Sequence, residues 1–173
     1  MPIKDLLLPE FDQELRKART MLERIPDTIE KQDFKPHEKS MPLAKLAAHI
    51  AQLPSLLIVI LSSPGHDMAT PKVQPLAMQS TAQLLAAFDK LSAEAHALLE
   101  ETSDRAMHET WKLSANGKTL YDGSRYNAIR TMFFNHIIHH RAQLGLYLRL
   151  NDVAIPDTYS PFPNEAVSLP KSA

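Results

Sequence analysis

Apolar residues recur in steps of three and four along four long stretches of this chain, and that spacing predicts helices. In the first stretch Leu8, Phe11, Leu15, Ala18, Leu22 and Ile25 form a stripe, predicting an amphipathic helix from about Pro9 to Ile25. Pro9 suits a first helical position and Pro26 stops the run. In the second, Leu43, Leu46, Ala47, Ile50, Leu53 and Leu57 share an arc, with Ser40 as the expected N-cap. Pro54 conflicts with this helix, because it removes a backbone donor and crowds the preceding turn. It predicts a kink, or a break with a short continuation to Leu61. The third helix is expected from Ser80, as N-cap, to about Glu101, with Leu84, Phe88, Leu91, Ala95 and Leu98 inward. The fourth runs from about Ser124 to Leu150, with Asn151 as a C′ residue.

The connections read differently. Residues 62–75 form a loop. Residues 102–123 are mixed, and Met107–Leu113 alternates too weakly to define a strand. Asn116-Gly117 and Asp122-Gly123 are turn dipeptides. From Val153 onward, Pro156, Pro161, Pro163 and Pro170 impose an extended tail, able to wrap the rest. The pattern predicts one all-α domain over 1–173, a four-helix bundle with long connections and a Pro-rich tail over about 153–173.

Composition changes this picture little. A chain of 173 residues with 44% hydrophobic and 23% charged residues has the make-up of a single globular domain. The net charge of −1 argues against a broad nucleic-acid footprint. There is no Cys, so disulfides, thiolate ligands and a nucleophilic thiol are excluded. The run LPSLLIVIL (53–61) falls short of the ~20 residues a bilayer span needs. No signal peptide is evident, and a cytoplasmic location without membrane attachment is the expectation.

The candidate chemistry lies on the fourth stretch. On a helical wheel Ile129, Phe133, His136, His140, Leu144 and Tyr147 share an arc of roughly 100°. Two imidazoles thus point where core side chains point, and buried ring nitrogens need partners. A His-x-x-x-His pair on a helix is a natural two-armed metal clamp. His49, on the second helix and at the edge of its apolar arc, is the candidate third ligand. Three neutral imidazoles suit Zn²⁺, Ni²⁺ or Fe²⁺ with an open position. The alternative is a set of core histidines that hydrogen-bond to one another. His139 points roughly 60–100° away from the pair and reads as a surface, interface or pocket-rim residue. His37, His66, His96 and His108 fall in loops or at helix edges and read as solvated.

Other site types are absent. Ile137 stands where a metalloprotease clamp carries Glu, no paired Glu-x-x-His motif occurs, and there is neither a Gly-rich phosphate loop nor a G-x-S-x-G elbow. Phe134 and Ile138, on the face away from the histidines, suggest a dimer face. Contact with the tail or with residues 102–123 is the alternative.

Two segments carry a family resemblance. Phe34-Lys35-Pro36-His37-Glu38-Lys39-Ser40-Met41-Pro42-Leu43, leading to Leu46-Ala47-Ala48-His49-Ile50, resembles the first signature of the DinB-like superfamily. Asn135-His136-Ile137-Ile138-His139-His140-Arg141-Ala142-Gln143-Leu144, followed by Tyr147-Leu148-Arg149, is similar to its fourth helix. Phe34 stands where many relatives place Trp. The resemblance implies a four-helix bundle with a three-histidine metal site at His49, His136 and His140, and a homodimer. It also implies kinship with thiol-dependent transferases and isomerases that use a low-molecular-weight thiol. The family label refers to DNA-damage induction and implies no DNA binding.

The sequence therefore supports three functions. The first is a metal-dependent enzyme, a thiol-dependent transferase or hydrolase acting on a small electrophile or thiol adduct. It would have a deep, partly apolar pocket beside His49 and His140. With no Cys in the chain, any thiolate arrives with the substrate. A general base comes from a loop, from His139 or from a metal-bound anion, and Gln143, Tyr147 and His139 are candidate pocket-lining groups. The second is a stress-related bundle that binds metal or ligand without turnover. The third is a structural dimer. Metal content separates the first from the third, and activity screens separate the first from the second.

Overall fold

In the computed structural model, which describes residues 1–28, 32–70 and 76–159, the long helical runs fall where the apolar spacing places them. Helix α1 spans Ile3–Leu22 and buries Leu7, Phe11, Leu15, Ala18 and Leu22. It begins earlier than expected: Pro9 lies inside it, and Pro2 holds the N-cap position. The Ile3 amide and Lys4 ammonium reach Asp104 Oδ1 (2.8 Å) and the Glu100 carbonyl (2.6 Å), so tertiary bonds carry the extra turns.

Helix α2 spans Leu43–Ser62. Its N-cap is Pro42 without a side-chain cap, so Ser40 does not take that role. Pro54 is accommodated within a continuous helix. Ser55 Oγ turns back to the Gln52 carbonyl at 2.7 Å. By length and composition α2 could cross a bilayer, but most of it is buried within the protein, as in the core helix of a globular domain. Helix α3, Thr81–Glu101, starts at the expected cap: Ser80 Oγ accepts from the Gln83 amide. Its buried residues are Leu84, Phe88, Ala95 and Leu99, so Leu99 takes the place expected for Leu98.

The all-α expectation is corrected by a small sheet. Strand β1 (Gly65–Asp67) lies in the segment expected as loop, and β2 (Thr110–Ala115) and β3 (Lys118–Ser124) in the mixed segment. The order is β1-β2-β3, with β1 parallel to β2 and β2 antiparallel to β3. Asn116 (φ 50°) and Gly117 (φ 77°) make the hairpin turn, both left-handed as a two-residue type I′ turn requires. Asp122-Gly123, expected as a turn, is strand: the two residues pair with Lys112 and Trp111. Trp111 is fully buried while most of β2 and β3 is exposed or half-buried, which is why the alternation reads weakly. Short helix α4 (Asp104–His108) precedes the hairpin, its amides capped by Ser103.

The fourth helical run has three parts: α5 (Arg125–Ala128), a π-helical segment (Ile129–Phe134) and α6 (Asn135–Arg149). Ser124 caps its start through the Asn127 amide. At its end Asp152 (φ 57°), not Asn151, takes the left-handed C′ position. The Asp152 amide bonds to the Arg149 carbonyl and the Val153 amide to that of Leu148, a Schellman closure. Arg125 is buried and donates to the carbonyls of Ile60 (2.8 Å), Ala106 (2.9 Å) and Ser63 (3.2 Å), tying α5 to the ends of α2 and α4.

Phe134 is fully buried. The Arg130 guanidinium lies over its ring and pairs with Glu10 of α1. The expected exposed pair of Phe134 and Ile138 therefore does not exist, and Ile138 alone is half-buried. Of the tail, residues 153–159 dock on the helices: Ile155 is buried, and the Tyr159 hydroxyl reaches Glu14 and Arg141. The expectations for residues 160–173 lie outside the described residues.

Candidate metal centre

Helices α2 and α6 bring His49, His136 and His140 together. Each offers a ring nitrogen, and the three atoms lie within 4.8 Å of one another. The ring centroids are 5.0 Å apart for His49–His136 and 4.6 Å for each of the other two pairs. All three side chains are half-buried. On α6 the fully buried residues are Ile137, Leu144 and Leu148, so the histidines occupy the flank of the core stripe, not its middle. That flank faces α2.

Hydrogen bonds fix the tautomers of the α6 pair. His136 Nδ1 donates to the Met132 carbonyl at 3.2 Å, and His140 Nδ1 donates to Gln143 Oε1 at 2.7 Å. An oxygen acceptor behind Nδ1 leaves the Nε2 lone pair free, the usual arrangement of a metal-ligating histidine. His136 Nε2 stands 3.2 Å from His49 Nε2. Two nitrogens bound to one zinc at 2.0–2.1 Å in a tetrahedron stand about 3.3–3.4 Å apart, so this spacing fits a shared cation.

The electrostatics agree. Burial, then the neighbouring charges of His140 and His136, push the His49 pKa down to about 4. Burial also lowers His136, against the opposing pull of the Met132 carbonyl, and lowers His140, against that of Gln143. The rings are therefore neutral at pH 7, the form in which imidazole binds metal. Among the described residues no carboxylate and no fourth histidine joins the cluster.

The other candidates are placed as follows. His139 is exposed, its ring 4.9 Å from that of His140. Gln143 stands behind His140 as a hydrogen-bond acceptor. Tyr147 is buried; its ring meets Phe34 edge-on and its hydroxyl donates to the Met41 carbonyl at 3.0 Å. It thus pins the segment leading into α2, the helix that carries His49. His37 Nδ1 accepts from the Lys39 amide, and His96 pairs with Asp12 at 3.5 Å. His66 lies in β1 and His108 at the end of α4, apart from the cluster. Sequence reasoning missed the Met132 carbonyl, because a backbone acceptor carries no side-chain signal. A cavity of about 290 Å³ lies on the other flank of α6, lined by Met21, Ile138, Ala142, Leu146, Ile155 and Tyr159 among others.

A mostly helical protein with a small sheet and a three-histidine cluster that can hold a metal ion is the class this fold and site define. The chain belongs to the DinB family, whose model matches residues 1–167. Its fold is similar to that of a DinB-like protein from Bacillus cereus ATCC 10987, with a TM-score of 0.68 and 17% identity, covering 91% of this chain and 98% of that one. It is also similar to a DinB-like protein from Bacillus subtilis, with a TM-score of 0.64 and 16% identity, covering 88% of this chain and 97% of that one. No curated protein matches the sequence.

Proposed function

We propose that this chain is a metal-dependent enzyme whose His49, His136 and His140 bind one divalent transition ion, zinc, nickel or iron, with a coordination position left for a ligand. The observation that carries this reading is the convergence of three half-buried, neutral imidazoles within 4.8 Å, two of them tied from behind through Nδ1. A metal bound there supplies Lewis acidity and lowers the pKa of a bound water or thiol. The chain's own residues orient the donors: Met132 and Gln143 hold the α6 rings, and Tyr147 holds the approach to α2. No Cys exists to act as a nucleophile, so a reactive thiol enters as a low-molecular-weight cofactor or with the substrate. The reaction class we favour is thiol-dependent transfer to, or hydrolysis of, a small electrophile.

In this reading the four long helical runs form a four-helix bundle and the protein works in the cytoplasm without a nucleic-acid or membrane partner. It pairs as a homodimer. Support for the pairing comes from Ile138, Ala142, Leu146 and Leu150, spaced four apart on the outer face of the last run, with Leu146 and Leu150 more than half exposed. The deciding measurement is metal analysis of protein purified without chelator, followed by activity screens with thiol cofactors and hydrolase substrates. About one metal per chain together with turnover is the expected result. A metal-free protein overturns the reading. Stoichiometric metal without turnover in any screen favours a metal-binding module instead.

A further inference from the structure

The π-helical segment Ile129–Phe134 has no counterpart in the apolar spacing of the sequence, which runs through it as if it were α-helix. Its effect is on phase. On a uniform α wheel, at about 100° per residue, the α5 anchors Arg125, Ala128 and Ile129 would lie roughly 140° from the buried stripe Ile137, Arg141, Leu144 and Leu148. Yet both sets are buried. An i→i+5 turn holds one residue more than an i→i+4 turn, so crossing it sets the helix back by about one residue, roughly 100°. That slip brings the two buried sets onto one face. It lets Arg125 bond to the Ile60 and Ser63 carbonyls of α2 while the flank carrying His136 and His140 faces His49 of the same helix. The segment also ends directly before α6, and its Met132 carbonyl accepts from the His136 ring.

We infer that the extra residue of the π segment is a positioning device for the metal centre: it sets the rotation of α6 that aims His136 and His140 at His49. The inference rests on the metal reading above. It assigns the site's assembly to a main-chain insertion eight to thirteen positions upstream of the midpoint of the ligands' helix. The residue to remove is Thr131, which is exposed and whose hydroxyl bonds only to the Asn127 carbonyl within the same helical run.

The test compares Co²⁺ binding by the full chain, by a variant lacking Thr131, and by a variant lacking Thr131 with one Ala inserted after Phe134. The last restores the count between Arg125 and His136. Affinity is measured by titration, and the ligand-field spectrum reports the coordination geometry, which a merely structural role would leave unchanged in a folded variant. The expected result is at least tenfold weaker binding and an altered spectrum on deletion, with both recovered in the compensated variant. Unchanged affinity and spectrum in the folded deletion variant overturn the inference and leave the metal reading standing. If the deletion does not fold, the compensated variant decides: folded and binding as the unaltered chain does supports the inference, and folded without binding overturns it. Failure of the unaltered chain to bind Co²⁺ overturns the metal reading and this inference with it.

Discussion

Replacing Arg141 by Met should destabilise the protein by about 3–5 kcal/mol, the usual result of removing one partner from a buried ion pair. Arg141 and Glu14 are 2% and 3% exposed. Arg141 Nη1 lies 2.6 Å from Glu14 Oε2 and 3.1 Å from the Glu14 carbonyl, and Nη2 donates to the Tyr159 hydroxyl at 2.8 Å. Tyr159 in turn donates to Glu14 Oε2 at 2.6 Å. Burial alone raises the Glu14 pKa, but the Tyr159 and Arg141 hydrogen bonds and the charges of Arg141 and Lys17 bring it below its ordinary value of 4.5. A lowered carboxylate pKa contributes stability that is present above pH 4.5 and lost as pH falls through the folded value. Without Arg141, burial dominates and the sign reverses, so the deficit of Arg141→Met shrinks as pH drops from 7 toward 4.5. Urea unfolding followed by circular dichroism at pH 7 and pH 5 reads both effects. With a urea slope of about 1–3 kcal/mol per molar, the midpoint should fall by roughly 1–5 M at pH 7. The pair Glu14→Leu with Arg141→Met should regain most of the loss, because no charge is then left unpaired. A deficit under about 1 kcal/mol at pH 7, or a double variant as unstable as the single one, refutes the reasoning.

Alanine at His49, His136 or His140 should each cut metal content sharply while His139→Ala leaves it intact; retention in His136→Ala would show that the wrong ring was chosen. With zinc bound, X-ray absorption should give Zn–N distances of about 2.0–2.1 Å. Because the folded His49 pKa is near 4 against an ordinary 6.5, the metal-free chain should be fully stable above about pH 6.5 and lose stability as pH falls toward 4, where the unfolded ring takes the proton first. For the same reason protons should displace metal only in the acid range, which a pH titration of occupancy reads directly. Trp111→Ala, removing the one tryptophan from its fully buried place on β2, should destabilise by about 3–5 kcal/mol in chemical unfolding.

The sequence made the helices legible because each buries one side at 3.6-residue spacing. Ser80 was readable as a cap for a local reason: its side chain accepts from the amide three residues on. The three histidines were readable because two lie four apart on one helix and the third sits on a facing arc. What escaped depends on distant contacts. Helix α1 extends past Pro9 because Asp104 and Glu100 hold its first turn. Strand β1 exists because it pairs with Lys112, Leu113 and Ser114, a partner its three residues do not announce. Phe134 looked exposed on a uniform wheel and is buried, since the π segment breaks the phase that the wheel assumes.

The mixed sheet has two seams with different histories during folding. The β2–β3 seam closes over a two-residue turn, so it belongs to the local events that hairpins complete in about 1–10 μs. The β1–β2 seam joins Gly65 to Lys112, with all of α3 lying between them in the chain. Its parallel ladder can form only once that long connection has brought Gly65 back beside Lys112. Closing that loop costs more chain entropy than closing the hairpin, so β1 is expected to join the sheet after β2 and β3 have paired. In the unfolded protein, or on the ribosome before residue 110 has emerged, the segment Gly65–Asp67 has no partner at all.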